Sequence, residues 1–279
     1  MKPFFTIITA TYNAAATLPR LLDSLSEQTC RDFELIIQDG ASTDNTVAVA
    51  ESYRDKLPAL SLVSEPDTGI YDAWNKALNR IRGEWVLFLG ADDRLATTTV
   101  LHSCYNSLHS VPIAALYAGG GVELMGLDGR LVTQLPYVPN QKAKAMCGGM
   151  PFPHPSLWHH RTLFTLHSFD TSLRIAADYD FICRTWTTEN GKTVLPFIVT
   201  QMYRGGISDL PLYALRLRWE NARVASRYFT DVWTVARCIE LLKGCILWTV
   251  CKIVGPHRAP VVLDAIKRLR GLPPSWTGL

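Results

Sequence analysis

The residues best suited to chemistry in this 279-residue chain are carboxylates that follow short apolar runs. Asp92 and Asp93 stand side by side after Val86-Leu87-Phe88-Leu89-Gly90-Ala91. Adjacent carboxylates repel each other unless a cation sits between or beside them. Hard divalent ions such as Mg2+ and Mn2+ take oxygen ligands and share them with diphosphates. The pair is therefore a candidate metal and diphosphate site, although a solvated turn would also accommodate it. Asp39 opens Asp39-Gly40-Ala41-Ser42-Thr43-Asp44 and could accept hydrogen bonds from a nucleobase imide, while Ser42 and Asp44 suit a helix cap. Asp67 and Gly69 lie in Glu65-Pro66-Asp67-Thr68-Gly69-Ile70-Tyr71-Asp72-Ala73, where glycine permits close backbone approach to a ligand. Asp178 and Asp180, in Ala176-Ala177-Asp178-Tyr179-Asp180-Phe181, open a helical stretch. Either could act as a general base or simply complement the helix dipole.

These groups need a frame. Phe4 to Thr9, Phe33 to Gln38, Leu60 to Ser64 and Trp85 to Leu89 read as short buried strands. Between them, Thr17 to Leu25, Thr43 to Tyr53 and Ile70 to Arg82 read as helices, the second with Ser42 or Thr43 as N-cap. Alternating strands and helices predict right-handed βαβ units on a mostly parallel sheet flanked by helices, an α/β fold. Ligands bind such sheets beyond the carboxyl ends of the strands, where Asp39 and Asp92-Asp93 fall. The stretch 97–210 is less regular. It holds a strand from Ile113 to Gly121, a hairpin from Val122 to Leu135 turning at Asp128-Gly129, and the rigid loop Pro151-Phe152-Pro153-His154-Pro155.

Charge divides the chain. Residues 1–210 carry 17 Lys and Arg against 21 Asp and Glu, whereas residues 211–279 carry 11 against 4. The division predicts a body over 1–210 and a helical, basic and apolar extension over 211–279. In the extension Ala225, Phe229, Val232, Ala236, Ile239, Leu242, Ile246, Val250 and Ile253 form one apolar stripe, ended by Gly255-Pro256. Arg216, Arg223 and Arg227 share its polar side. No apolar run reaches the eighteen residues of a membrane span. An amphipathic helix lying on an anionic membrane surface through residues 211–256 fits this pattern, and so does one packed on the body or across a homodimer. The seven cysteines are scattered without a C-x-x-C pair, which predicts a reduced compartment and no zinc site.

In order and spacing, the motifs resemble the family 2 glycosyltransferases of GT-A fold. The residues that carry the resemblance are Thr9-Ala10-Thr11-Tyr12-Asn13, the Asp39 and Glu65 segments, Asp92-Asp93, Ala177-Asp178-Tyr179-Asp180 and Gly205-Gly206-Ile207-Ser208. One position departs: where the family often has Asp or Asn two residues before the pair, this chain has Gly90. The resemblance implies inverting transfer from a nucleotide-sugar, usually UDP-linked, to a hydroxyl. It implies that Thr9, Ala10, Thr11, Asn13, Asp39, Asp67, Gly69 and Asp92 bind the donor. Asp93, with Asp92, would ligate Mn2+ or Mg2+, and Asp178 would be the base. His154 could line the pocket, and Gly205 to Ser208 could close over it as a lid. Trp74, Trp158 and Trp186 could stack on sugars, though tryptophans of this kind are usually core.

Similar bacterial enzymes build O-antigen, capsule or exopolysaccharide on polyprenyl-diphosphate carriers. That implies a lipid-linked glycan acceptor and a cytoplasmic protein held peripherally on the inner face of the cytoplasmic membrane. The alternative is a non-catalytic, membrane-associated nucleotide-sugar scaffold. A Rossmann oxidoreductase is excluded because no G-x-G-x-x-G follows the first strand. An acidic body without an aromatic-basic repeat argues against nucleic-acid binding.

Overall fold

The computed structural model describes residues 2–109, 115–126, 128–136, 149–150, 152–186, 191–206, 210–230, 235–255 and 258–269. The β-branched run Phe5–Thr11 forms β1. α1 follows at Leu18–Ser26, with Pro19 in its first turn and Leu18, Leu21, Leu22 and Leu25 turned inward. β2 (Phe33–Asp39), α2 (Thr46–Glu51), β3 (Leu60–Ser64), α3 (Ile70–Leu78) and β4 (Trp85–Phe88) continue the alternation. Then come β5 (Arg94–Leu95), α4 (Val100–Leu108), the hairpin β6 (Ala115–Met125) and β7 (Leu131–Leu135), β8 (Leu157–His160), α5 (Ala177–Thr185) and β9 (Gly191–Tyr203). The chain closes with helices α6 (Ala214–Tyr228), α7 (Val235–Val254) and α8 (Ala259–Leu269).

The strands form one mixed sheet in the order β3-β2-β1-β4-β8-β6-β9-β5, with β7 beside β6. β3, β2, β1 and β4 are parallel, with Phe5 opposite both Phe33 and Trp85. The chain steps outward from β1 to β2 to β3 and then returns to place β4 on the other side of β1. This reversal opens a crevice beyond the carboxyl ends of β1 and β4, where such sheets bind ligands.

Side-chain alternation along the strands splits the core in two. Ile7, Leu35, Ile37 and Leu87 pack on one face with α1 and α4. Ile8, Ile36, Val86 and Phe88 pack on the other with α3, α5 and Val224 of α6.

Three expectations require correction. α2 is shorter than expected and begins at Thr46, after Asn45; Ser42 is engaged by Asp39 rather than by the helix, whereas Asp44 does serve the helix start, accepting from the Thr46 N–H at 2.9 Å. α3 stops at Leu78 rather than Arg82. The apolar stripe of the extension belongs to two helices, not one: α6 ends at Tyr228, where Phe229 turns extended (φ −130°, ψ 147°), and α7 starts afresh. Val232 lies outside the described residues, as do Ile207 and Ser208 of the expected lid.

The change of charge near residue 210 is not a break in packing. Ala222, Val224 and Ala225 of α6 are fully buried, and Arg227 pairs with Asp170 (3.0 Å) and Asp180 (2.8 Å) instead of facing solvent unpaired. α7 crosses α6 closely at Gly244, where a Cβ would come within 3.0 Å of Leu215 Cα and Arg218 Cδ. Its Ile239, Leu242, Ile246 and Ile253 are exposed.

Candidate active site

At the end of β2, Asp39 is fully buried, and both its oxygens accept hydrogen bonds. Thr11 donates its hydroxyl at 2.8 Å, Ser42 its hydroxyl at 2.5 Å and its N–H at 2.8 Å, and Ser64 its hydroxyl at 2.7 Å. Burial alone would raise the pKa of this carboxyl, but the donors from Ser42, Ser64 and Thr11 outweigh it and hold the group ionised below its usual range. Asp39 thereby ties the ends of β1, β2 and β3 together. The β1–α1 and β2–α2 loops are joined further: Asn13 N–H donates to Ser42 Oγ (2.8 Å), and Asn13 Oδ1 accepts from Thr43 N–H (2.9 Å). Asn13 (φ 50°) and Ala41 (φ 60°) both sit in the left-handed region, a strained geometry that such cross-bonding sustains. Thr9, within β1, is buried, and its hydroxyl has no hydrogen-bond partner among the described residues. Ala10 is partly exposed beside it.

The β3–α3 loop folds back on this cluster. Asp67 packs against Gly40, where a Cβ would lie 2.5 Å from Asp67 Oδ2. Burial raises the pKa of Asp67, with the charges of Asp72 and Asp39 adding to the effect and the Gly69 N–H (2.8 Å) opposing it. Gly69 has φ +135° at the start of α3, a conformation that favours glycine. Arg174 reaches across to the same loop, donating to the Thr68 carbonyl.

Beyond β4 the polarity is reversed. Asp93 is only 4% exposed, and burial, followed by the charge of Asp92, pushes its pKa up to about 7. The Gly90 N–H (2.9 Å) and the Tyr203 N–H stabilise its charge incompletely, as does the nearby Arg20. Arg20 lies 3.7 Å above the Tyr203 ring and donates to the Asp92 carbonyl at 3.2 Å. At Gly90, the position of a Cβ lies 2.8 Å from Asp92 Oδ1 and 2.9 Å from Asp93 Oδ2. The missing side chain therefore leaves a notch onto which two carboxylate oxygens converge. Among the described residues no cluster of three or more His, Cys, Asp or Glu side chains could hold a metal. Two carboxylates and a substrate diphosphate nevertheless make an acceptable Mg2+ or Mn2+ site, because such ions are commonly held by one or two carboxylates plus phosphates.

Asp178 and Asp180, equivalent by spacing, have different surroundings. Asp180 is 2% exposed and committed to Arg227 and Tyr228. Asp178 is partly exposed, and its Oδ1 accepts from the Tyr71 hydroxyl (3.1 Å) and the Tyr179 N–H (2.8 Å). No described residue hydrogen-bonds its Oδ2. Burial, then the charge of Asp178, raises the Tyr71 phenol well above its usual pKa, so Tyr71 remains a donor. His154 is sandwiched between Trp74 (5.5 Å) and Phe88 (5.7 Å), and burial lowers its pKa against the pull of Asp178. It is a neutral core histidine whose ring connects β4 to the Asp178 side of the crevice. Trp74 and Trp158 are core, and Trp186 packs on Tyr117 and Phe152.

The model of the Glycosyl transferase family 2 matches residues 6–134, which include Asp39, Asp67, Asp92 and Asp93 but not Asp178. The chain is 33% identical over 213 residues to a PGL/p-HBAD biosynthesis glycosyltransferase of Mycobacterium tuberculosis, covering 74% of this chain and 80% of that one. This chain belongs to the family 2 glycosyltransferases. Its fold is GT-A. It is similar to the mannosyltransferase PcManGT of Pyrobaculum calidifontis in complex with GDP-Man and Mn2+, with TM-score 0.64, 20% identity, and coverage of 98% of this chain and 82% of that one. It is also similar to S. aureus TarS 1–349 in complex with UDP, with TM-score 0.61, 20% identity, and coverage of 96% and 83%. These two likenesses show the fold alone.

Within this glycosyltransferase, sequence reasoning missed four residues around the crevice. Tyr71 lies within a motif segment and Arg174 just before one, and in sequence both read as ordinary helix and loop residues. Arg20 and Glu220 carry no local signal at all, since each meets its partner across more than forty positions.

Proposed function

We propose that this glycosyltransferase is a divalent-metal-dependent, inverting enzyme that moves a sugar from a nucleotide-diphosphate donor, UDP-linked by family habit, to a hydroxyl of a lipid-linked glycan. The strand-end segment Thr9 to Asn13, with Asp39, Asp67 and Gly69, walls the nucleoside. Asp92 holds the ribose or donor sugar, and Asp93 with Asp92 holds Mn2+ or Mg2+ beside the diphosphate. When bound, such an ion neutralises charge developing on the leaving diphosphate, typically worth several kcal/mol. Arg20 adds a fixed positive charge on the same side.

Asp178 accepts the proton of the acceptor hydroxyl as its oxygen bonds to the anomeric carbon. The bond from that carbon to the diphosphate oxygen breaks on the opposite face. One displacement inverts the configuration, and no enzyme nucleophile takes part. The observation that carries the assignment is the contrast between the two aspartates of α5. Asp180 is spent on Arg227 and Tyr228, while Asp178 keeps an oxygen that no described residue hydrogen-bonds. Asp178→Asn is expected to lower transfer by at least about 1,000-fold while leaving donor affinity nearly unchanged. Calorimetry with the nucleotide-sugar and a product assay check this, and a variant within tenfold of wild-type turnover refutes it.

The exposed stripe Ile239, Leu242, Ile246 and Ile253 on α7, with Lys252 in its last turn, supports peripheral docking on the inner face of the cytoplasmic membrane. Among the described residues no helix is long and apolar enough to cross a membrane. Truncation before α6 would strip the core of Val224 and Asp180 of its partner, so point substitution is the cleaner test. Leu242→Glu with Ile246→Glu should abolish flotation with anionic vesicles at unchanged thermal stability, and undiminished flotation would refute docking through α7.

A further inference from the structure

α5, the helix that carries Asp178, has no cap of its own. Its N-cap residue is Ala176, which offers no side-chain hydrogen bond. The preceding loop, Arg174-Ile175-Ala176, presents three backbone N–H groups, those of Ile175 and Ala176 buried and that of Arg174 partly so. All three donate to one carboxylate from a distant helix: Glu220 of α6 accepts from Arg174 at 3.1 Å, from Ile175 at 2.8 Å and from Ala176 at 3.1 Å. Glu220 is 6% exposed, a burial that carboxylates tolerate only when so satisfied.

The segment held in this way leads directly to Asp178. The Tyr71 hydroxyl shares its one hydrogen between the Ile175 carbonyl at 2.6 Å and Asp178 Oδ1 at 3.1 Å, a three-centre bond that links the two. The position of Asp178 therefore depends on a chain of four groups: Glu220, the 174–176 backbone, Tyr71 and the Asp178 carboxylate. We propose that Glu220 is a positioning residue for the catalytic base, through which α6 completes the active site from the C-terminal part of the chain. The charge of Glu220 also reaches Tyr71. This inference rests on the reading of Asp178 as the base.

The test compares Glu220→Gln, Glu220→Asp, Asp178→Asn and the double variant Glu220→Gln/Asp178→Asn, all in the full chain, by steady-state transfer kinetics and donor calorimetry. Gln replaces one acceptor oxygen with a donor amide that faces backbone N–H groups. It should lower kcat by about 10- to 100-fold, the scale of an ångström-level misplacement of a reacting group, with donor affinity within about threefold. The shorter Asp keeps the charge and should fold even if Gln does not. It should lower kcat severalfold, again with donor affinity retained. Added to Asp178→Asn, Glu220→Gln should have no further effect on residual turnover.

Unchanged kcat in either folded Glu220 variant overturns the inference while leaving the Asp178 assignment intact. So does loss of kcat and donor affinity in equal proportion, or full additivity with Asp178→Asn. High turnover by Asp178→Asn alone overturns the base assignment and the positioning role with it.

Discussion

The carboxyl ends of β2 and β4 each lead to an aspartate, Asp39 as the last residue of β2 and Asp93 in the loop beyond β4, yet the structure treats the two in opposite ways. Asp39 is surrounded by hydroxyl and N–H donors from Thr11, Ser42 and Ser64 and is held ionised. Asp93 is equally deep, has two N–H donors and a charged neighbour, and is pushed up to about 7. Burial raises both carboxyls, and the number of donors decides which way each moves. The acceptors of the β2 carboxylate are thus filled by the protein, while at the β4 end burial and the charge of Asp92 outweigh the donors and Arg20 at Asp93. A cation with a diphosphate would complement the second arrangement.

This contrast predicts effects of opposite sign. The largest is expected for Asp39→Ala, which leaves the Thr11, Ser42 and Ser64 donors without their acceptor. A loss of roughly 2–4 kcal/mol in unfolding free energy is expected, measured by urea titration. Asp93→Asn should instead stabilise the protein, by on the order of 1–3 kcal/mol at pH 8 without metal. The sign follows from linkage. A carboxyl near 7 in the folded state and 3.8 when unfolded binds more protons folded between those values, so stability falls as pH rises through the window. The gain should fade toward pH 4, where the folded carboxyl is protonated and as neutral as the amide that replaces it, and thermal melts across pH check it. Equal gains at pH 4 and pH 8 would break the comparison. Smallest is Ser64→Ala, which removes one of the four donors to Asp39 and should cost about 1 kcal/mol.

The first half of the fold was legible because it is built from local patterns. β1 to β4 and α1 to α3 follow from alternation and helical spacing, and the crevice from the chain reversal at β1 and β4. β9 was not read, since its thirteen residues contain Lys192 and Pro196 and gain their regularity only by pairing with β6. Ser42 was assigned to a helix cap because capping is its commonest local use, whereas tertiary contact gives it to Asp39. The tail misled most. Its charge and stripe suggested an appendage, but α6 turns Glu220 and Arg227 inward toward α5 and leaves only α7 and α8 with a largely exposed apolar face. Composition registers what a segment carries, not which side of it is buried.

Gly90 illustrates the same limit in the site. In sequence it is only a departure from the family's usual Asp or Asn. In space it makes the notch onto which Asp92 Oδ1 and Asp93 Oδ2 converge.

The central claim is that the β4 end is completed by a divalent ion and a diphosphate. Titration of UDP into the protein at pH 8, with and without Mn2+, for wild type and Asp93→Asn, tests it directly. The account predicts that Mn2+ tightens UDP binding to wild type by about tenfold or more, worth about 1.4 kcal/mol, and leaves Asp93→Asn unaffected. UDP affinity indifferent to Mn2+ in wild type, or equally enhanced in the variant, would contradict it.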